Sequence, residues 1–168
     1  MKKSNIILIG MPGAGKSTIG VILAKRLGFH FIDTDLIIQA QERQRLQQII
    51  DTQGLKTFRN IEEQVLLNLD TTQSVIATGG SAIYSARGLE KLANSGDRIY
   101  IQVSLQSLQL RIADMGQRGL VMSKGQTFEQ LYRERTPLYE KFADLTISCD
   151  EINAEGVAAK IEEEISQR

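Results

Sequence analysis

The stretch Gly10-Met11-Pro12-Gly13-Ala14-Gly15-Lys16-Ser17-Thr18 has the residue types and spacing to hold a triphosphate. It spells G-x-x-x-x-G-K-[ST], follows the apolar run Ile6 to Ile9 and leads into a helical pattern, the context a phosphate loop needs. Glycines allow the left-handed turns that aim successive backbone N–H groups at phosphate oxygens, and the positive end of the following helix faces the same anion. Gly13, Ala14, Gly15, Lys16, Ser17 and Thr18 are therefore expected to bind nucleotide. The Lys16 ammonium would meet the β- and γ-phosphates in a catalytic role, and the Ser17 hydroxyl would ligate Mg²⁺.

Such a loop does not name the acceptor, so other groups must. Asp33 and Asp35 follow the apolar run Phe29 to Ile32. Placed on a strand, residues i and i+2 point the same way, so both carboxylates can face one cleft. Phosphoryl transfer to a hydroxyl uses one acid near Mg²⁺ and its waters and another that orients the attacking hydroxyl. Alternatively, one of the two caps the helix that begins near Leu36. Arg59 stands three residues before Glu62 and four before Glu63, which suits either a surface ion pair or a guanidinium held by Glu62 to grip a substrate carboxylate. Arg135 offers a second cation, and Pro137 predicts a kink or break at Thr136 that would aim it inward. Gly79-Gly80-Ser81 closes a strand where substrate can approach the backbone. Asp51-Thr52-Gln53-Gly54 spells D-x-x-G but follows a helical run, and no N-K-x-D is present, so a guanine-nucleotide switch is not supported. His30, the only histidine, receives no chemical role.

Five short apolar runs alternate with helical patterns and predict an α/β fold, a three-layer α/β/α sandwich on a five-stranded parallel sheet. The strands are expected at Asn5 to Ile9, Phe29 to Asp33, Ser74 to Thr78, Arg98 to Val103 and Leu145 to Ser148. Helices are expected at about 16–27, 35–50, 56–69, 85–94, 104–113, 126–142 and 153–167. This order puts the loop at the carboxyl edge of the sheet, where open α/β sheets bind ligands. Residues 34–70 hold two consecutive helical patterns with no strand between them. Residues 114–127 carry three glycines without apolar periodicity, a length that in a small domain is usually functional.

At 168 residues the chain suits one domain, and acidic and basic residues balance at 20 each, which gives no signal for nucleic acid or an anionic membrane. No run approaches the roughly 20 apolar residues of a membrane span, and the first residues are too short for a signal peptide. The single cysteine, Cys149, reads as a small buried hydrophobe and fits a reducing compartment. A cytoplasmic protein, and a monomer, is the expectation.

Taken in order, these landmarks resemble the shikimate kinase family over nearly the whole chain: Gly10 to Thr18, Asp33 and Asp35, Phe58-Arg59 with Glu62, Gly79-Gly80, Arg118, and Arg135-Thr136-Pro137-Leu138-Tyr139. The resemblance implies a nucleoside-monophosphate-kinase-like fold with a substrate-binding subdomain at about 34–62 and a lid at about 114–126. It implies Mg²⁺-dependent transfer of phosphate from ATP to the 3-hydroxyl of shikimate. By position, Asp35 would bind the acceptor hydroxyl as a catalytic group, and Asp33 would support Mg²⁺ through water. Arg59 and Arg135 would hold the acceptor carboxylate, with Gly79 and Gly80 against its ring. Arg118 would neutralise the transferring phosphate, and Arg111 would lie against adenine.

Three positions depart from the family pattern. Ser81 stands where a third glycine is usual, Arg118-Gly119-Leu120 replaces Arg-Pro-Leu, and Gly54-Leu55 replaces a glycine-glutamate pair. The first would narrow or re-aim the acceptor pocket; the second trades a fixed φ for a permissive one. Two other readings stay open on these grounds: a divergent kinase for another hydroxy acid, and a nucleotide-binding protein without catalysis.

Overall fold

The central strand β1 (Asn5–Ile9) is buried at every position, because helices cover both faces of the sheet it belongs to. A computed structural model describes residues 4–115 and 120–167. In chain order the elements are β1, α1 (Lys16–Leu27), β2 (His30–Asp33), α2 (Thr34–Glu42), α3 (Leu46–Gln53), α4 (Leu55–Asn68) and β3 (Ser74–Ala77). They continue with a 3₁₀ helix (Gly80–Tyr84), α5 (Ala86–Ala93), β4 (Gly96–Gln102), α6 (Leu105–Met115), α7 (Phe128–Phe142), β5 (Leu145–Ser148) and α8 (Ala154–Ser166). The sheet runs β2-β3-β1-β4-β5, parallel throughout. Strand order reverses at β1, so the loop after β1 opens at the switch point of the sheet. α1 packs on α8 and α4 on α5.

The main core joins Ile7, Leu8, Ile76, Ile99 and Ile101 of the inner strands to Ile19, Leu23, Leu89 and Ile161 of the helices. A smaller core of Ile38, Ile49, Phe58, Val65 and Val121 lies among α2, α3 and α4. Residues 34–70 thus carry their own packing, which explains two helical patterns without a strand.

Two expectations need correction. The helix expected over 35–50 is two helices, broken at Arg43, whose φ of 53° is left-handed. The break re-aims the chain so that Ile49 reaches the smaller core, and Gln48 caps the new start by accepting from Arg45 N–H at 3.0 Å. Pro137 does not break α7, which is continuous through it. The ring sits on the exposed side, where the carbonyl of the exposed Arg133 left without its helical donor can be hydrated, while Leu131, Arg135 and Tyr139 stay buried on the other side.

Candidate active site

The loop after β1 curls through Gly13 (φ +81°) and Gly15 (φ +92°) before α1 begins, a geometry a Cβ would strain. Lys16 is buried, and its Nζ donates to the carbonyls of Gly10 at 2.7 Å and Met11 at 2.8 Å. Burial lowers its pKa to about 8, with Asp35 the main opposing charge. Arg111, on α6, donates to the carbonyls of Gly13 and Ala14, each at 3.3 Å, and so braces the loop.

Asp33 ends β2 and caps α2. Its Oδ1 accepts from the N–H groups of Asp35 (3.0 Å) and Leu36 (3.4 Å), while Oδ2 accepts from the Ser17 hydroxyl at 2.6 Å. One carboxylate therefore performs the capping role and also meets the phosphate loop. Asp35 is not on the strand as the i, i+2 argument assumed; it lies in the first turn of α2. The helical turn, not strand alternation, carries it into the cleft. Burial pushes its carboxyl up to about 6, the Asp33 charge adds to the rise, and Lys16 opposes it.

Gly79 and Gly80 lead from β3 into the 3₁₀ helix, and close approach explains both. A Cβ on Gly79 would stand 2.5 Å from Glu62 Oε1 and 2.6 Å from Asp35 Oδ1. One on Gly80 would stand 2.7 Å from Pro12 Cδ and 3.1 Å from Arg135 Nη1. The backbone here is squeezed among three ionisable side chains.

Arg135 is fully buried. Its Nη2 donates to the Val121 carbonyl and its Nε to the Tyr84 hydroxyl at 3.3 Å, while Nη1 has no hydrogen-bond partner among the described residues. Tyr84 OH in turn donates to Glu134. Arg59 does not pair with Glu62 as the sharper of its two sequence readings required. Its guanidinium stacks on the Tyr84 ring at 4.1 Å from the centroid, with Arg135 at 5.2 Å from the same centroid. Glu62, 2% exposed, accepts from the Ser81 hydroxyl at 2.6 Å instead. Burial pushes its carboxyl up to about 7 against the lowering effect of that bond.

A cleft of about 400 Å³ gathers Lys16, Ser17, Asp35, Gly79, Gly80 and Arg135 on its walls, together with Leu120 and Val121 from the segment after residue 119. Arg59 opens instead onto a neighbouring cavity of about 190 Å³, shared with Glu62 and Tyr84. Arg118 lies outside the described residues. Two contributors escaped the sequence: Tyr84, whose spacing of three from Ser81 puts both on one face of a 3₁₀ helix, and Val121, the middle of a three-residue apolar run in a glycine-rich stretch.

A phosphate loop at the switch point of a parallel sheet, facing a half-buried carboxylate across a cleft, defines a P-loop phosphotransferase with an alcohol acceptor. The family model described as shikimate kinase matches residues 12–166. A shikimate kinase of Vibrio parahaemolyticus is 35% identical, with 99% of each chain covered, and one of Actinobacillus pleuropneumoniae is 38% identical over 95% of this chain and 94% of its own. The solved shikimate kinase of Acinetobacter baumannii, in complex with shikimate, superposes with a TM-score of 0.90 at 32% identity, covering 99% of this chain and 94% of that one. The chain belongs to the shikimate kinase family, and its activity is ATP-dependent transfer to a hydroxyl group.

Proposed function

We infer that the chain phosphorylates the 3-hydroxyl of shikimate to shikimate 3-phosphate, a step of aromatic amino-acid biosynthesis. The observation that carries this is the joint placement of Lys16, Asp35 and Arg135 on one cleft: donor cation, base and carboxylate-binding cation. The relatives' printed names and the shikimate in the A. baumannii structure support the acceptor.

In this reading the loop N–H groups and Lys16 hold the ATP phosphates, and Lys16 leaves the Gly10 and Met11 carbonyls to do so. Arg111 flanks the loop on the nucleotide side. Asp35 accepts the proton of the attacking hydroxyl, which its raised pKa makes a stronger base than an ordinary aspartate. Arg135 meets the acceptor carboxylate through Nη1, and Arg59 joins it; Gly79 and Gly80 let the ring lie against bare backbone. Residues 34–62 act as the acceptor-binding subdomain. Residues 114–126 act as the lid, with Arg118 on the transferring phosphate, and exclude water that would otherwise compete as acceptor.

Mg²⁺ fits the donor set. The Ser17 hydroxyl and Asp33 Oδ2 are hard oxygens in contact at the mouth of the loop, and Mg²⁺ commonly takes few protein ligands beside phosphate and water. Ser17 would ligate the ion and Asp33 would hold one of its waters; when bound, the ion neutralises charge building on the phosphates. A cytoplasmic monomer completes the reading.

The test is product identification. Purified protein with Mg-ATP and shikimate should give ADP and shikimate 3-phosphate by ³¹P NMR; ADP and free phosphate alone, at the rate seen without shikimate, would refute it.

A further inference from the structure

Among the described residues, Ser81 is the one that lines both the 400 Å³ cleft and the 190 Å³ cavity holding Arg59. It is 2% exposed, and its hydroxyl is spent on Glu62 Oε2 at 2.6 Å. The pair therefore forms a wall: on one side Asp35, Gly79 and Arg135, on the other Arg59 stacked on Tyr84. Arg59 Nε and Glu62 Oε1 make no hydrogen bond among the described residues, although the two residues stand three apart on α4, where side chains meet. Glu62 bonds Ser81 in place of its cationic neighbour. Ser81 and Tyr84 lie three apart on the 3₁₀ helix, so a single face of that short element takes Glu62 with one residue and Arg59 with the other.

We propose that Ser81 is a positioning residue that sets acceptor recognition: its bond to Glu62 partitions Arg59 from the cleft, and Arg59 reaches a bound carboxylate only when that bond opens. The proposal rests on the assignment of Arg59 and Arg135 to an acceptor carboxylate. Opening one buried hydrogen bond is charged against acceptor affinity and against nothing else in the cycle. Nucleotide binding should change little, since among the described residues neither Ser81 nor Glu62 hydrogen-bonds the P-loop.

The experiment compares the full-length protein with S81G, which removes wall and tether, S81A, which keeps most of the wall, and S81T, which keeps the hydroxyl. With shikimate as acceptor, S81G should lower the acceptor KM about tenfold, the worth of one hydrogen bond, with KM for ATP and kcat within about twofold. S81A should fall between S81G and the parent, and S81T should restore the parent value. An unchanged or raised acceptor KM in S81G overturns the proposal, as does an equal shift in KM for ATP. A second arm needs no acceptor: in a crystal structure of ligand-free S81A, Glu62 should swing to within ion-pair distance of Arg59, and a Glu62 that stays in place overturns the partition. If the parent protein itself fails to turn over shikimate, the functional reading has failed, and this ligand-free arm still decides the role of Ser81.

Discussion

The Ser17 hydroxyl donates to Asp33 Oδ2 at 2.6 Å, joining the first turn of α1 to the cap of α2. The helix that follows the phosphate loop and the helix that carries Asp35 therefore meet at this hydrogen bond.

That bond separates two jobs of Asp33. Asparagine caps helices as well as aspartate, so D33N should keep Oδ1 capping and leave the melting temperature within a degree or two of the parent. It should raise the Mg²⁺ concentration for half-maximal activity by roughly tenfold, as loss of an outer-shell carboxylate does. A Mg²⁺ titration of initial rates checks this; an unchanged titration would remove Asp33 from the metal site.

Lys16 and Asp35 predict the pH dependence. In the proposed reaction Asp35 must be ionised to accept a proton, and it has a pKa of about 6, while Lys16 must be charged, and it has one of about 8. With ATP and acceptor both well below their KM values, so that the free enzyme is what titrates, the rate should rise through about pH 6 and fall through about pH 8. D35N should lose most of the rate and the acidic limb with it.

The same shifts bear on stability. A carboxyl whose folded pKa is raised, as for Asp35 and Glu62, lends stability below its unfolded pKa and loses it as pH rises through about 6 to 7. Thermal melts of D35N and the parent should therefore diverge with pH: similar near pH 4, with D35N the more stable at pH 8. A constant difference across that range would contradict burial as the cause.

Arg59 and Arg135 should differ in what their loss does. R59A removes a half-buried side chain and should raise acceptor KM by about tenfold to a hundredfold, with ATP affinity nearly unchanged. R135A removes a fully buried cation that bonds Val121 and Tyr84, so it should add a clear drop in melting temperature to the same loss of acceptor binding. Calorimetric titration with shikimate and with ATP, beside thermal melts, distinguishes the two; loss of ATP binding in R59A would overturn its assignment.

Much of this was readable from the chain because the signals were local. A strand buried on both faces announces itself as a continuous apolar run, as β1 does at Asn5 to Ile9, while the edge strand β5 shows the apolar-polar alternation of Leu145 to Ser148; both fall where these patterns predict. The phosphate loop is a single contiguous motif. What escaped depended on contacts far apart in sequence. Arg43 takes a left-handed turn that no glycine announces, because packing of Ile49 onto Phe58 and Ile38 decides it. Glu62 looked like the partner of Arg59 because only helical spacing was visible; Ser81, 19 residues on, wins that carboxylate once β3 folds alongside. Tyr84 carried no recognisable motif, and its importance comes from two arginines delivered by α4 and α7.

The central claim is that the cleft between Lys16 and Arg135 takes shikimate as its phosphate acceptor. The most direct measurement is kcat/KM by coupled ADP release over a panel of small hydroxy acids, with Mg-ATP saturating. Shikimate should exceed every other acceptor by about a hundredfold or more, since a site built to pair a carboxylate and a hydroxyl rejects analogues lacking either. A different hydroxy acid turned over faster, with shikimate near background, would contradict the account.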